Sequence, residues 1–245
     1  MAFVPRVYIG SDLIKDGTAT VAGSDYNHIV NVLRKKEGDT VTVCDMHSKV
    51  YEAKIERIGD GEAILLLGEA SGKDCEIGFP VTVYQCLPKG EKTDTVIQKS
   101  VELGASAIVL VESERCVARP DKKSFEKKLE RYRRISESAA AQCGRSFVPE
   151  VRGLISFGEA IKEIAACGNG FICYEGDGTV PVREVIEGAE GGFAFLIGPE
   201  GGISMKEAET AKEAGLALVS LGKRILRTET AALYVLSAIS VLKED

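Results

Sequence analysis

Two glycine-bearing bends restrict the fold of this chain more than any other feature. Each joins an apolar, strand-like run to a helix-like run. Phe193 to Ile197 leads into Gly198-Pro199-Glu200-Gly201-Gly202-Ile203-Ser204, and Leu216 to Leu221 leads into Gly222-Lys223-Arg224-Ile225-Leu226-Arg227-Thr228. Strands separated by helices imply parallel pairing. Both bends are then expected side by side at the carboxyl edge of a parallel sheet, where open α/β folds bind ligands. Neither has a standard nucleotide-binding spacing, because G-x-G-x-x-G and G-x-x-x-x-G-K-[ST] are both absent.

The same alternation starts near residue 80. Val81 to Leu87 reads as a strand, and Thr93 can cap a helix that runs to Leu103 and stops at Gly104. Ala107 to Val111 reads as a buried strand, and Phe125, Leu129, Tyr132 and Ala139 share one helical face. Ser156 with Glu159, and Ser204 with Glu207, are capping boxes. Phe171 to Tyr174 is a further strand, and Ala231, Ala232, Val235, Leu236 and Ile239 stripe the last helix.

Residues 1–72 read differently, as a small β-rich, barrel-like unit. Val41 to Cys44 and Val50 to Ile58 alternate, and Gly59-Asp60-Gly61 turns into Ala63 to Leu67. One helix interrupts, with Ser24 as its expected cap and Ile29, Val32 and Leu33 as its apolar face. The polar, glycine-bearing stretch from Ser71 to Gly78 is the expected linker, which leaves 73–245 as the α/β domain.

Composition narrows the partners. The 245 residues are 44% hydrophobic and 28% charged, ordinary for a globular protein. No apolar run approaches the ~18 residues of a membrane span, and the N-terminus lacks a basic-then-apolar leader, so a cytoplasmic location is expected. Seven cysteines without a C-x-x-C pair, and two histidines, make a metal site unexpected and read as buried thiols. The net charge of −6 opposes nucleic-acid binding, but its distribution does not. From Arg115 to Arg134, nine cations, Lys122 among them, face three carboxylates. Such a stretch can bind a phosphate backbone or form a solvated helix face laced with i,i+4 pairs.

Taken together, the motifs resemble the SPOUT class of methyltransferases and, within it, the bacterial 16S ribosomal RNA uridine-N3 methyltransferases. The resemblance covers nearly the whole chain. It rests on Gly198-Pro-Glu-Gly-Gly202 with Ser204 and Glu207, and on Leu221-Gly-x-x-Ile-Leu-Arg-x-Glu-Thr-Ala231. Upstream, Gln98-Lys-x-x-Glu-Leu-Gly104, Glu114-Arg115, Ala141-Gln-x-x-Arg145 with Pro149, and His28-x-x-x-Val-Leu-Arg34 with Gly38-Asp39 follow in the family's order. Departures are small: Arg6 is followed by Val7 and Tyr8 where the family often has two aromatics, and Tyr132 stands where tryptophan is usual.

The resemblance implies a PUA-like N-terminal RNA-binding domain and a SPOUT α/β domain whose last loops thread a trefoil knot. It implies S-adenosylmethionine as cofactor, 16S ribosomal RNA as substrate and partner, expected within the 30S subunit, a homodimer, and no membrane partner. The outer sides of the last helix, Leu233, Tyr234 and Leu236, are the expected partner face. It also implies that Leu196, Ile197, Gly198, Gly202, Leu221, Ile225, Leu226 and Ala231 line the adenosine pocket. For the chemistry, Glu200 and Glu229 are candidate proton acceptors and Arg227 the candidate cation for a uracilate oxygen. Glu229 can equally serve as a first-turn helix carboxylate, and Arg227 as a loop ion pair. Arg6, Arg34, Lys35, Arg115, Arg119 and Arg145 are RNA-phosphate candidates. Tyr8, Tyr26 and Tyr51 read as core residues before base-stacking platforms. Ribose 2′-O methylation, RNA binding without catalysis, and a nicotinamide-dependent oxidoreductase are the alternatives; the missing G-x-G-x-x-G weakens the last.

Overall fold

The computed structural model describes residues 4–47, 49–71 and 75–244, with the backbone alone for Lys122. Residues 72–74 of the expected linker lie outside the described residues. The chain divides into two compact units, Met1–Glu76 with Ala140–Val148, and Ile77–Ala139 with Pro149–Asp245.

The first unit holds β1 (Arg6–Tyr8), β2 (Ile14–Lys15), β3 (Thr18–Ala22), α1 (Gly23–Tyr26), β4 (Thr40–Cys44), β5 (Val50–Gly59) and β6 (Glu62–Ser71). Its sheet has the order β1-β4-β5-β6-β3-β2, antiparallel except for the β1–β4 pair. Asp60 and Gly61 both take positive φ, 53° and 80°, which matches the right-handed twist of the β5–β6 hairpin. The alternation seen in the sequence sends Val41, Val43, Ala53, Ile55, Ala63 and Leu65 into one core with Val7, Val21 and Ile29. Tyr26 and Tyr51 pack against that core.

The expected helix differs in detail. It starts at Gly23, so Ser24 is not its cap, and no side chain caps it. From Asn27 to Val32 it continues in the wider π winding. Bonds of the i→i+5 type rotate the apolar face. Ile29 and Val30 therefore meet the core, while Val32 is 60% exposed.

The second unit alternates as expected: β7 (Val81–Cys86), α2 (Lys92–Glu102), β8 (Ala107–Glu112), α3 (Lys122–Cys143), β9 (Glu150–Ser156), α4 (Phe157–Ala166), β10 (Asn169–Cys173), β11 (Val180–Pro181), α5 (Val182–Glu187), β12 (Phe193–Ile197), α6 (Met205–Glu213), β13 (Ala217–Ser220) and α7 (Thr228–Lys243). The last turn of α3 groups with the first unit. All sheet pairs are parallel, in the order β11-β13-β10-β12-β7-β8-β9. Every residue of β12 is buried, and Phe195 stacks on Phe171 of β10 with ring centroids 5.6 Å apart.

Both capping boxes form, Ser156 with Glu159 on α4 and Ser204 with Glu207 on α6. Thr93 does not cap α2; it is the helix's second residue and is buried, and the cap position falls to Glu91. Phe125, Leu129, Tyr132 and Ala139 of α3 are buried, as is the stripe on α7. Leu236 belongs to that buried stripe, so of the expected partner face only Leu233 and Tyr234 point away from the core. The cysteines are free thiols, and Cys75 is exposed where a buried thiol was expected, because it follows the polar stretch outside either sheet. No described helix is long and apolar enough to cross a membrane.

Candidate functional site

Because the sheet is parallel, the segments that follow β10, β12 and β13 leave it at one edge. They enclose a cavity of about 590 Å³, a size in the usual range for small-molecule sites. Its walls are Cys173 to Glu175 after β10, Ile197 to Glu200 with Gly202 and Ile203 after β12, and Ser220 to Thr228 after β13; Ala231 and Lys92 complete it. The two glycine bends are not immediate neighbours, since β10 lies between β12 and β13.

The bend after β12 is held from every side. Gly202 donates to the carbonyl of Pro199 at 2.9 Å and sits at φ 69°, a left-handed conformation suited to glycine. Arg115 donates to the Gly201 carbonyl at 2.9 Å. Glu200 accepts from the backbone N–H of Lys89 at 3.1 Å and from Lys92 Nζ at 2.7 Å. Behind the bend, Gln85 Nε2 donates to Thr228 Oγ1 at 2.8 Å, and that hydroxyl donates to the Gly198 carbonyl at 2.7 Å. A Cβ on Gly198 would stand 3.1 Å from Ile203. The α6 cap joins the same assembly, as Glu207 accepts from the Glu114 N–H at 2.8 Å and Ser204 donates to the Glu114 carboxylate at 2.8 Å.

Partial burial works to raise the pKa of Glu200, but the Lys92 ammonium and the backbone N–H groups of Glu200 and Lys89 outweigh it and hold the carboxyl below its ordinary value. Burial alone pushes the Cys173 thiol far up, so it lines the cavity as a neutral wall.

The loop after β13 is barely held. Gly222 to Ile225 are exposed, Ile225 at 79%. Arg227 occupies the cap position of α7 with extended backbone and an exposed side chain. Among the described residues its guanidinium has neither an ion pair nor a hydrogen bond, so the loop ion pair is not formed.

Seven of the eight cofactor-pocket candidates line the cavity: Ile197, Gly198, Gly202, Leu221, Ile225, Leu226 and Ala231. Leu196 does not. It is fully buried within β12, paired to Ile172 and Tyr84. Glu200 and Arg227 line the cavity too, whereas Glu229 stands beside it in the first turn of α7, with Oε2 buried and 3.8 Å from Lys92 Nζ. The carboxyl-edge rule could also have found Lys92, three residues past Lys89, and Tyr174-Glu175, directly after the Phe171 strand. Thr228 and Gln85 carry no such signal.

The RNA-phosphate candidates separate into two groups. Arg145 is 3% exposed; its Nε and Nη2 donate to Glu76 Oε2 at 2.9 and 2.5 Å, and its guanidinium covers the Phe147 ring. Arg6 donates to the Arg145 carbonyl at 2.8 Å, beside the Tyr8 hydroxyl at 3.0 Å. These two arginines knit the first unit together, and Arg145 presents no face to a phosphate. Arg34, Arg115 and Arg119 are exposed, and Lys35 partly so. Arg115 is nonetheless spent on the Gly201 bend, and Arg119 on the Glu114 carbonyl at 3.1 Å. On α3, Lys123, Lys127, Lys128 and Arg134 are exposed, while Arg131 pairs with Asp94.

Comparison with known proteins places these features in a family. The RNA methyltransferase domain family matches residues 75–240, and the RNA methyltransferase PUA domain family matches residues 21–67. Ribosomal RNA small subunit methyltransferase E of Bacillus subtilis is 34% identical over 233 residues, 93% of this chain and 91% of that protein. The Neisseria gonorrhoeae enzyme of the same name, solved bound to S-adenosyl methionine, is 34% identical, covers 98% of both chains and superposes with a TM-score of 0.87. A Legionella pneumophila protein solved with the cofactor SAM is 28% identical over 97% of both chains, with a TM-score of 0.85. With a PUA-like unit first, a SPOUT-type parallel sheet second and the cavity at its carboxyl edge, this chain belongs to the ribosomal RNA small subunit methyltransferase E family.

Proposed function

We propose that the protein transfers a methyl group from S-adenosylmethionine to N3 of a uridine in 16S ribosomal RNA. The observation that carries this reading is the cavity at the carboxyl edge, in a chain 34% identical to an enzyme solved with that cofactor bound. Its size suits a nucleoside, Ile197, Leu221, Leu226 and Ala231 offer apolar walls to a flat base, and Gly198 and Gly202 let main-chain groups approach. The cofactor supplies a methyl already activated on a sulfonium. What remains for the chain is orientation, worth about 7–11 kcal/mol in favourable cases.

Uridine N3 carries a proton whose pKa lies about two units above neutrality, so ionising it at pH 7 costs about 3 kcal/mol. Arg227, exposed at the cavity and without a partner among the described residues, is suited to stabilise the developing charge on a uracil oxygen. Glu200 is engaged by Lys92 and Lys89. Glu229, with an oxygen free of hydrogen bonds, is the better proton acceptor.

In this reading residues 1–72 are the RNA-binding domain and 73–245 the methyl-transfer domain. Arg34, Lys35 and the exposed cations of α3 meet phosphates, the protein works in the cytoplasm, and two copies pair through the Leu233–Tyr234 side of α7. The decisive experiment incubates purified protein with labelled cofactor and either 30S subunits or free 16S RNA, then identifies the labelled nucleoside. N3-methyluridine is expected. A 2′-O-methylated nucleoside overturns the position of attack, and cofactor binding without transfer to either RNA overturns the activity. Sedimentation of the purified protein reads the dimer.

A further inference from the structure

Two carboxylates from distant segments meet at the rim of the cavity. Glu200 comes from the bend after β12, and Glu229 from the first turn of α7. Between them stands Lys92, the first residue of α2, with Nζ 2.7 Å from Glu200 Oε1 and 3.8 Å from Glu229 Oε2. The Glu229 oxygen is buried and accepts no hydrogen bond, and among the described residues its ion-pair partner is this ammonium. Two neighbouring charges are occupied elsewhere. Arg115 grips the far side of the bend through the Gly201 carbonyl, and Asp94, two residues along α2, is taken by Arg131.

We propose that Lys92 is a positioning residue for methyl transfer, tying the Pro199–Gly202 bend to the first turn of α7 and so fixing the spacing between two walls of the cavity. The inference rests on the function proposed above. Its physical basis is like-charge repulsion: without the ammonium, two carboxylates face each other and a partly buried one loses its counter-charge. Both walls they sit on line the cavity, through Gly198 and Gly202 on one side and Ala231 on the other. Lys92 acts on the reaction through those walls, not by touching the reacting atoms.

The test compares Lys92→Met, Glu200→Gln, the double variant and Lys92→Arg, with cofactor affinity by calorimetry and steady-state methylation of 30S subunits as readouts. Lys92→Met and Glu200→Gln should each weaken cofactor binding by about tenfold. The double variant should be no weaker than either single one, because both remove the same tie. Lys92→Arg should return affinity to within about threefold of wild type, since a guanidinium can span both carboxylates. KM for RNA should stay put in all four while kcat falls in the first three. Unchanged cofactor affinity in Lys92→Met, multiplicative losses in the double variant, or a folded Lys92→Arg as weak as Lys92→Met each overturn the proposal. Should Lys92→Met fail to fold, Glu200→Gln and Lys92→Arg still decide it. Wild-type protein that binds cofactor but methylates no RNA would sink the proposed function, and the affinities would still test the tie.

Discussion

The two glycine bends began as equals in the sequence and end as opposites in the structure. The bend at 198–202 is held by Arg115, Glu200, Thr228 and its own internal turn. The loop at 221–227 projects Gly222, Lys223, Arg224 and Ile225 into solvent, and its Gly222 N–H reaches only the Ser220 hydroxyl at 3.2 Å. One wall of the cavity is therefore built in advance and the other is free to adapt. Preorganisation belongs where a ligand must be oriented, because ordering a loop on binding subtracts from affinity. An exposed isoleucine and an unpaired arginine belong where a second molecule must still arrive. On this contrast we propose that the braced bend orients the cofactor, and that the loop after β13, whose Leu221 and Leu226 also wall the cavity, turns its exposed side with Arg227 toward the RNA.

Substituting each wall separately tests that division. The largest effect is expected from Arg227→Ala on the bare loop: kcat should fall by about 10²–10³-fold, as when a charge-stabilising donor is removed. Cofactor affinity should hold within about threefold by calorimetry. A variant with full turnover would return Arg227 to the status of a loop residue. Next comes Gly202→Ala on the braced bend. At φ 69° an added Cβ costs about 1–2 kcal/mol. Cofactor binding should weaken by about tenfold, with KM for RNA little changed. If RNA affinity suffers instead, the walls have exchanged roles.

A pH series sharpens the same contrast. The folded-state pKa of Glu200 is depressed: burial raises it, but the Lys92 ammonium together with the backbone N–H groups of Glu200 and Lys89 lowers it further. The stabilisation it gives the bend is thus present above the ordinary carboxylate value and is lost only as pH falls through the lower, folded value. Cofactor affinity should stay level from neutrality down past the ordinary glutamate range before declining. In Glu200→Gln that acid decline should vanish. A decline that persists unchanged in the glutamine variant assigns it to another group.

Much of this was legible because hydrophobic period and capping chemistry are local. The inward alternation of Val41, Val43, Ala53 and Ile55, the two Ser–Glu capping boxes and the buried stripe of α7 all depend on neighbours a few residues away. The edge rule then placed both bends at one cavity. What could not be read were long-range electrostatics and exact winding. Arg145 looks like any phosphate-binding arginine until Glu76, 69 residues away, is found beside it. Lys92 meets Glu200 across 108 positions, and Thr228 meets Gln85 across 143. Val32 fits a 3.6-residue face and misses the core because the helix widens at Asn27. Leu196 lies off the cavity lining for a different reason. A motif identifies a segment, and only the pleat decides which of its side chains reaches the cavity.

Arg115 is where the comparison is most open to breaking, and there the expected effect is smallest. By sequence it is an RNA-phosphate candidate; by geometry it braces the Gly201 and Ile203 carbonyls. The two roles respond differently to salt. A phosphate contact contributes about 0.7–0.9 to the slope of log affinity against log salt, and its loss reduces that slope. A brace contributes nothing to it. Arg115→Ala is expected to weaken cofactor binding about threefold, the scale of one charged hydrogen bond at an exposed site. RNA affinity measured from 50 to 200 mM salt should keep the wild-type slope, whereas Lys127→Ala with Lys128→Ala on the exposed face of α3 should flatten it by about 1.5. If Arg115→Ala flattens the slope and spares the cofactor, the bend after β12 also touches RNA, and the boundary between a wall for the cofactor and a wall for the substrate runs through Gly201 rather than between the two loops.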